Sequence, residues 1–368
     1  MSAIRVVAIA AGSHIFGGAH ARAIEENGLE VVAAYDLDPA RAHAVADPRG
    51  WPVVESLEEA LATPADLAVI ASPHPLHADL AIRALDAGMH VLVEKPLASR
   101  PSEARAMAEA AERAKRVLAV ALQHRFREEV RRAREIVRSG VIGSIHRAVV
   151  VSTYPKRAEY YRAAPWRGTW AGEGGGVLLN QGQHDLDTLV HLLGMPTRVM
   201  GWARTRALPI EAEDTVEAML EWENGTLGSV HVTSAASDPP SRIELVGSKG
   251  ALRLTPGALD VSRHPEDFAD FTAAPGGPFD PFPHGEPVAE TGGAGTHSQI
   301  YADLVAAIGD GRDPVAPASD ALPALELTTA IILSSHLGAP LQLPLDAGEY
   351  DRMLDHLIST TNHPGETP

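Results

Sequence analysis

The sequence predicts an α/β half built on a parallel sheet, followed by an α+β half with a large, mostly antiparallel open sheet. Three observations predict it. The first third alternates short β-rich runs with helically spaced segments, the pattern of βαβ units whose sheet is covered on both faces. Beyond Gln123 the pattern changes to consecutive strand-like runs separated by tight turns, which pair antiparallel. A chain of 368 residues, 45% hydrophobic and 21% charged, is globular in composition and too long for one small core.

In the first domain, residues 1–123, the strands are Ile4–Ala11, Glu30–Tyr35, Leu67–Ala71, His90–Val93 and Val117–Leu122. Ala19–Glu26, Ser56–Leu61, Leu76–Ala87 and Ser102–Arg116, the last opened by Pro101, carry helical spacing. The second domain, residues 124–358, opens with a charged amphipathic helix over Arg125–Ser139 that Gly140 stops. Strands follow over Ile145–Tyr154, Thr197–Ala207, Thr215–Glu223, Gly225–Thr233, Ser241–Val246 and Ala251–Leu254, with turns at Glu223-Asn224-Gly225 and Gly247-Ser248-Lys249-Gly250. Gly175–Leu193, Gln299–Gly309 and Leu322–Ala339 read as helices. Arg263–Gly295, rich in proline, glycine and acidic residues and without periodicity, reads as a long surface loop. Residues 359–368 read as a loose tail.

Composition excludes several classes. With 31 basic against 48 acidic side chains the net charge is −17, which disfavours nucleic acid and anionic lipid as partners. The absence of cysteine excludes disulfides, thiolate metal sites and cysteine nucleophiles. The apolar run Val6–Ala11 is too short for a signal-peptide core, and no stretch reaches the roughly 20 apolar residues of a membrane span. A soluble, cytoplasmic protein is expected. Despite 17 histidines there is no HExxH and no close carboxylate–histidine set beyond His184-Asp185, so no metal is expected.

The first strand runs into Gly12-Ser13-His14-Ile15-Phe16-Gly17 and then a helix. Glycines 12 and 17 suit the first and third positions of a dinucleotide-binding turn, which presents helix N-terminal amides to a pyrophosphate. His14 stands where that fingerprint has its second glycine. Asp36, at the end of the second strand, suits the adenosine ribose hydroxyls and repels a 2′-phosphate, and Leu37 and Asp38 offer no cation for one. NAD is therefore expected rather than NADP, with Gly12, His14, Ile15, Phe16, Gly17 and Asp36 around it.

Two further segments carry a resemblance. Ala81–Ala98, AIRALDAGMHVLVEKPLA, follows Ser72-Pro73-His74-Pro75-Leu76-His77, and Gly174–Gly194 reads GGGVLLNQGQHDLDTLVHLLG. With the N-terminal turn, and with the ending from Gly295-Thr296-His297 to Leu343-Pro344-Leu345, they resemble the glucose-fructose oxidoreductase / inositol dehydrogenase / MocA family. The resemblance implies a Rossmann domain, NAD-dependent oxidation or reduction of sugars, sugar acids and inositols, and a homo-dimer or homo-tetramer joined through the C-terminal sheet. It also implies that Ser72, Pro73, His74 and His77 face the cofactor and that Glu94 and Lys95 lie near the nicotinamide. Trp166 and Arg167 would lie there too, and His184 would face the substrate.

The residues agree with that chemistry. Oxidising an alcohol needs a base for the hydroxyl proton while hydride leaves carbon. Lys95, one of only four lysines, stands at the end of a buried strand, where burial depresses an amine's pKa. Lys95 and His184 are the expected catalytic pair. Asn180 departs from the aspartate that many relatives carry and serves only to orient substrate, since an amide exchanges no proton at neutral pH. Tyr154, Arg157, Tyr161 and Trp166, in the aromatic-rich stretch 154–170, suit sugar rings and anions. Gln123 at the domain junction is a cofactor-facing amide, and His297 a further substrate contact. The alternatives are a non-catalytic NAD-binding regulator, or an enzyme that cleaves glycosides or oxidises diols through the same transient hydride chemistry.

Overall fold

A computed structural model describes residues 3–237 and 239–361. Five parallel strands, β1 (Arg5–Ile9), β2 (Glu30–Tyr35), β3 (Leu67–Ile70), β4 (His90–Val93) and β5 (Leu118–Val120), form one sheet in the order β2-β1-β3-β4-β5. These strands are near-continuous apolar runs because both faces are covered; β3, Leu-Ala-Val-Ile, is buried at every residue. The first strand is shorter than its apolar run predicts. Ala10 turns the chain out of the sheet in the left-handed region, at φ 59°.

The second sheet has nine strands: β6 (Ile145–Thr153), β7 (Arg198–Arg204), β8 (Thr215–Glu221), β9 (Leu227–Thr233), β10 (Arg242–Gly247), β11 (Gly250–Thr255), β12 (Ala258–Arg263), β13 (Val288–Thr291) and β14 (Leu341–Gln342). Their order is β13-β12-β11-β10-β6-β9-β8-β7-β14, antiparallel except for the central β6–β9 pair. One face carries the apolar side chains that helix Gln183–Leu193 and part of helix Ala318–Leu337 bury.

The stretch 263–295 is not the structureless loop its composition predicts. β12 and β13 pair across it, and Asp267 caps a short helix, Phe268–Ala273, by accepting from the Ala269 amide at 2.9 Å. Phe282 gathers His264, Phe268 and Phe271 at centroid distances of 4.9, 5.2 and 5.1 Å. These aromatics are spaced too irregularly to show a period, yet they make a small, part-exposed surface cluster. Helix Pro39–Ala46, capped by Asp38, also carries too weak an apolar stripe to be read from sequence. Helix Ala347–Thr360 takes in the first two residues of the expected tail; residues 362–368 lie outside the described ones.

The last third of the chain returns to the first sheet. Ile300, Tyr301 and Leu304 of helix His297–Asp310 pack into the core on one face, and Ala318, Ala321 and Leu325 into the core on the other. The Ala316 carbonyl accepts from the Val120 amide at 3.0 Å, which covers the edge of β5.

Arg125 sits where these parts meet. Its guanidinium is 1% exposed, pairs in a fork with Asp187 at 2.9 and 2.6 Å, and donates to the carbonyls of Val315 and Asp320 at 3.2 and 2.9 Å. Asp187→Ala would leave that buried cation without its main anion. It should destabilise the protein by about 3–5 kcal/mol, read as a lowered denaturation midpoint.

Candidate active site

The strand–turn–helix at the N-terminus keeps an anion site open. The tight turn spans Ala10 to Ser13, closed by the Ser13 amide on the Ala10 carbonyl at 3.0 Å, and its left-handed residue is Ala10 rather than Gly12. Gly12 serves close approach instead: a Cβ there would collide with Arg41. Asp36 accepts from the Gly12 amide at 3.0 Å, and Arg41, a cation the sequence reading passed over, donates to the Gly12 carbonyl at 3.0 Å. His14 and Ile15 are exposed in the first helical turn. Among the described residues their amides meet no carbonyl or side chain, which leaves them for a phosphate. Gly17 packs under Val45. Phe16 is fully buried, stacked on His20 and edge-on to Trp51, so it supports the turn from the core and does not face a ligand.

A second set of residues converges at the ends of β3 and β4. Lys95 Nζ donates to the Asn180 carbonyl at 2.8 Å and to Asn180 Oδ1 at 3.1 Å. Burial lowers its pKa, Glu94 and Glu173 work against that, and Lys156 adds to it. The Asn180 amide in turn donates to Glu173 Oε1 at 2.5 Å, and Glu173 Oε2 accepts from the Gly168 amide at 2.5 Å. Glu173 is 1% exposed and burial pushes its carboxyl up to about 7, although hydrogen bonds from Gly168 and Asn180 oppose this. No expectation from sequence named Glu173; its only signal was a carboxylate abutting the glycine run.

That run places Asn180 and His184. Glu213 clamps it, accepting from the Gly176 and Leu178 amides at 2.9 and 3.1 Å, while its carbonyl takes the Val177 amide at 2.9 Å. A Cβ on Gly176 would collide with the Glu213 backbone. A π-helical turn, Leu178–Gly182, then leads into helix Gln183–Leu193. His184 is buried, stacked on His124 at 4.2 Å, and its Nδ1 has no partner among the described residues. Burial, His124 and the Lys95 charge hold its pKa well below the usual range. His124 is likewise pushed down to about 3. Both rings are neutral at physiological pH.

Glu94 anchors a different cluster. Its Oε1 meets His20 Nε2 at 2.9 Å and His297 Nε2 at 3.0 Å, and His20 Nδ1 meets the Tyr301 hydroxyl at 2.9 Å. His297 is thus committed to Glu94. Among the described residues, His20, Glu94 and His297 are the set whose donor atoms lie close enough to gather an ion, and hydrogen bonds already use those atoms. His77 is fully buried with both ring nitrogens on backbone oxygens, of Pro96 and Ser72, and braces the 72–77 turn. Ser72 donates to the carbonyl of Pro73 at 3.3 Å, and His74 Nδ1 donates to the Glu173 carbonyl at 3.3 Å. Gln123 keeps a buried Oε1 that has no partner among the described residues. The open amides of the first turn fit a pyrophosphate, and the orphaned Gln123 Oε1 and His184 Nδ1 are buried polar atoms that no described residue satisfies.

The aromatic stretch splits. Trp166 lies edge-on to His74 at 5.7 Å, and the Arg167 guanidinium stacks over Tyr160 and Trp166 at 4.2 and 5.3 Å. Tyr161 bonds Ser234 at 3.2 Å. Tyr154 donates to Asp185 at 2.6 Å and lines a cavity with His124 and Arg127. Arg157 is exposed and outside the groups gathered round Lys95.

The two sheets, the open amide turn and a lysine among neutral histidines define a dinucleotide-binding oxidoreductase. Residues 4–122 match the oxidoreductase-family NAD-binding Rossmann fold and 130–253 the GFO/IDH/MocA C-terminal domain. The WlbA dehydrogenase of Bordetella pertussis, solved with NADH and UDP-GlcNAcA, superposes with a TM-score of 0.81 and 30% identity over 94% of this chain and 100% of that one. The chain belongs to the GFO/IDH/MocA family. The D-glucoside 3-dehydrogenase of Escherichia coli is 35% identical over 53% of this chain and 55% of its own length. The levoglucosan dehydrogenase of Pseudarthrobacter phenanthrenivorans is 29% identical over 50% and 53%. The chain thus spans about half the length of these two curated relatives.

The buried histidines carry a linkage. His20, His74, His77 and His184 have folded-state pKa values below the unfolded value near 6.5. Below that pH the unfolded chain binds protons that the fold refuses, so stability is lost as pH falls. Each histidine loses up to about 1.4 kcal/mol per pH unit below 6.5. Glu173 and Glu213, whose carboxyls burial pushes up to about 7, contribute with the opposite sign below that value, so the histidine slope of the thermal midpoint between pH 7.5 and 5.5 is read against a variant. His184→Gln should flatten part of that slope.

Proposed function

We propose that this protein is an NAD-dependent oxidoreductase that moves a hydride between the nicotinamide and a secondary alcohol of a sugar, sugar acid, glycoside or inositol. The observation that carries the reading is Lys95: an amine with a depressed pKa, held at one end by Asn180 and bordered by His184, in a family of NAD-binding oxidoreductases. NAD, when bound, accepts the hydride. Residues His14, Ile15, Gly17 and Asp36 would hold its adenosine and pyrophosphate part, and Gln123, His74, Trp166 and Arg167 its nicotinamide end.

In the direction of oxidation the neutral Lys95 amine takes the hydroxyl proton as hydride leaves carbon. His184, neutral and with a free Nδ1, orients that hydroxyl by a hydrogen bond. Asn180 keeps Nζ from swinging away, and the cluster of Trp166, Arg167 and Tyr160 walls the cleft against water. In reduction the same protons run backwards. The similarity to a D-glucoside 3-dehydrogenase and a levoglucosan dehydrogenase favours a ring hydroxyl on a glycoside or anhydrosugar.

Lys95→Ala should lower kcat at least about 10²-fold while NADH still binds, as followed by fluorescence, and unchanged turnover would sink the proposal. The substrate is sought with a panel of polyols, aldoses, glycosides and sugar acids, scored by NADH formation with NADP as control. A preference for NADP would overturn the role of Asp36.

The outer face of the second sheet carries Trp202, Met219 and Leu227, about half exposed each, and we read it as the contact between copies in a homo-dimer or homo-tetramer. Met219→Asp should reduce the mass found by light scattering to that of a smaller species.

A further inference from the structure

Glu173 lies beside the proposed proton carrier, and the mechanism above gives it no part. It ends the short helix Trp170–Glu173, immediately before the glycine run. The carboxylate is 1% exposed, and each of its oxygens has a fixed donor: Asn180 Nδ2 on one, the Gly168 amide on the other, both at 2.5 Å. Burying a carboxylate so deeply is costly unless its charge is used.

The Asn180 amide gives that contact a direction. Its Oδ1 accepts from Lys95 at 3.1 Å and from Gln181 at 3.2 Å, while its Nδ2 points at Glu173. An amide turned the other way would set N–H groups against the lysine ammonium and an oxygen against the carboxylate. An ionised Glu173 therefore selects the orientation that gives Lys95 its acceptor. The same carboxylate is a negative charge one amide away from Nζ.

We propose that Glu173 is a positioning residue for Lys95, holding the Asn180 amide in the lysine-accepting orientation and stabilising the protonated amine by its charge. It acts through Asn180 and touches no substrate. The inference rests on Lys95 being the acid/base group of the reaction. The other charged groups facing Lys95 are Glu94 and Lys156, and its charge also reaches His74, His124 and His184, all neutral. Arg167 and Glu213 face Glu173, with the phenols of Tyr160 and Tyr161.

The test is the pH profile of kcat for alcohol oxidation in Glu173→Gln. Gln keeps the volume and removes the charge, so the neutral amine forms more readily and the acid limb should move down by about one pH unit. Glu173→Asp, which restores the charge, should bring the limb back toward the wild type. Glu173→Ala frees the amide and should lower kcat about 10-fold with little change in KM. An unmoved limb with kcat within about twofold of wild type in Glu173→Gln would reduce Glu173 to packing.

A second measurement needs neither turnover nor a variant. With only four lysines, isotope-labelled side chains give few signals, and that of Lys95 should inflect twice with pH, once as Glu173 titrates and once as the amine does. A single inflection overturns the proposal. This titration reads the coupling even if Lys95→Ala shows that Lys95 is not the acid/base group, so the two failures are distinguishable.

Discussion

The structure depends on one buried ion pair. Arg125 and Asp187 are each 1% exposed, and the guanidinium with its three partner residues ties together three separate stretches of chain. Arg125 itself belongs to the turn that leaves the first domain. Asp187 belongs to the helix that presents His184, one turn earlier. Val315 and Asp320 flank the segment that covers the edge of β5. A buried guanidinium is tolerated only when its donors are met, so its geometry fixes where these three stretches lie relative to one another. His184 is thereby held to the domain that carries Lys95, although the two residues are far apart in sequence.

The same logic recurs on a smaller scale around the glycine run. Glu213 meets three backbone amides of that run through its side chain and its own carbonyl, and the Tyr350 hydroxyl donates to the Gly174 carbonyl at 2.5 Å. Glycine is needed at 176 because another backbone occupies the space of its side chain. The loop that seats Asn180 is therefore rigid despite its composition. Two buried carboxylates, Glu173 and Glu213, bracket it from either end.

Much of this was legible in the residues. The alternation of apolar runs with helices revealed the parallel sheet, since strands buried on both faces cannot be polar. Turn signals and two-residue alternation revealed most of the second sheet. The parallel pairing of β6 with β9 was hidden, because a crossover between distant strands leaves no local mark. So was the order in 263–295, where aromatic side chains scattered along the chain meet only after folding. At the site, Lys95 and His184 announced themselves through chemistry and motif context. Glu173 did not, because a carboxylate beside glycines looks like a solvated turn until burial is known. His297 shows the converse: a histidine near the expected place has one ring nitrogen taken up by Glu94. The left-handed residue that opens the first turn, Ala10, leaves no mark in the sequence, because alanine seldom takes that conformation.

The return of the last third of the chain to the first sheet bears on biosynthesis. A nascent chain that has left the ribosome only as far as β5 holds all five strands, but lacks Ile300, Tyr301 and Leu304 on one face and Ala321 and Leu325 on the other. Its last strand has no partner for the Val120 amide until Ala316 arrives, nearly two hundred residues later. The nucleotide-binding half thus spends most of translation with apolar surface and a strand edge uncovered, a period in which chaperone shielding is most needed. Its completion coincides with the arrival of the carbonyls of Val315 and Asp320 at Arg125, so the cofactor domain and the domain junction close in the same late step.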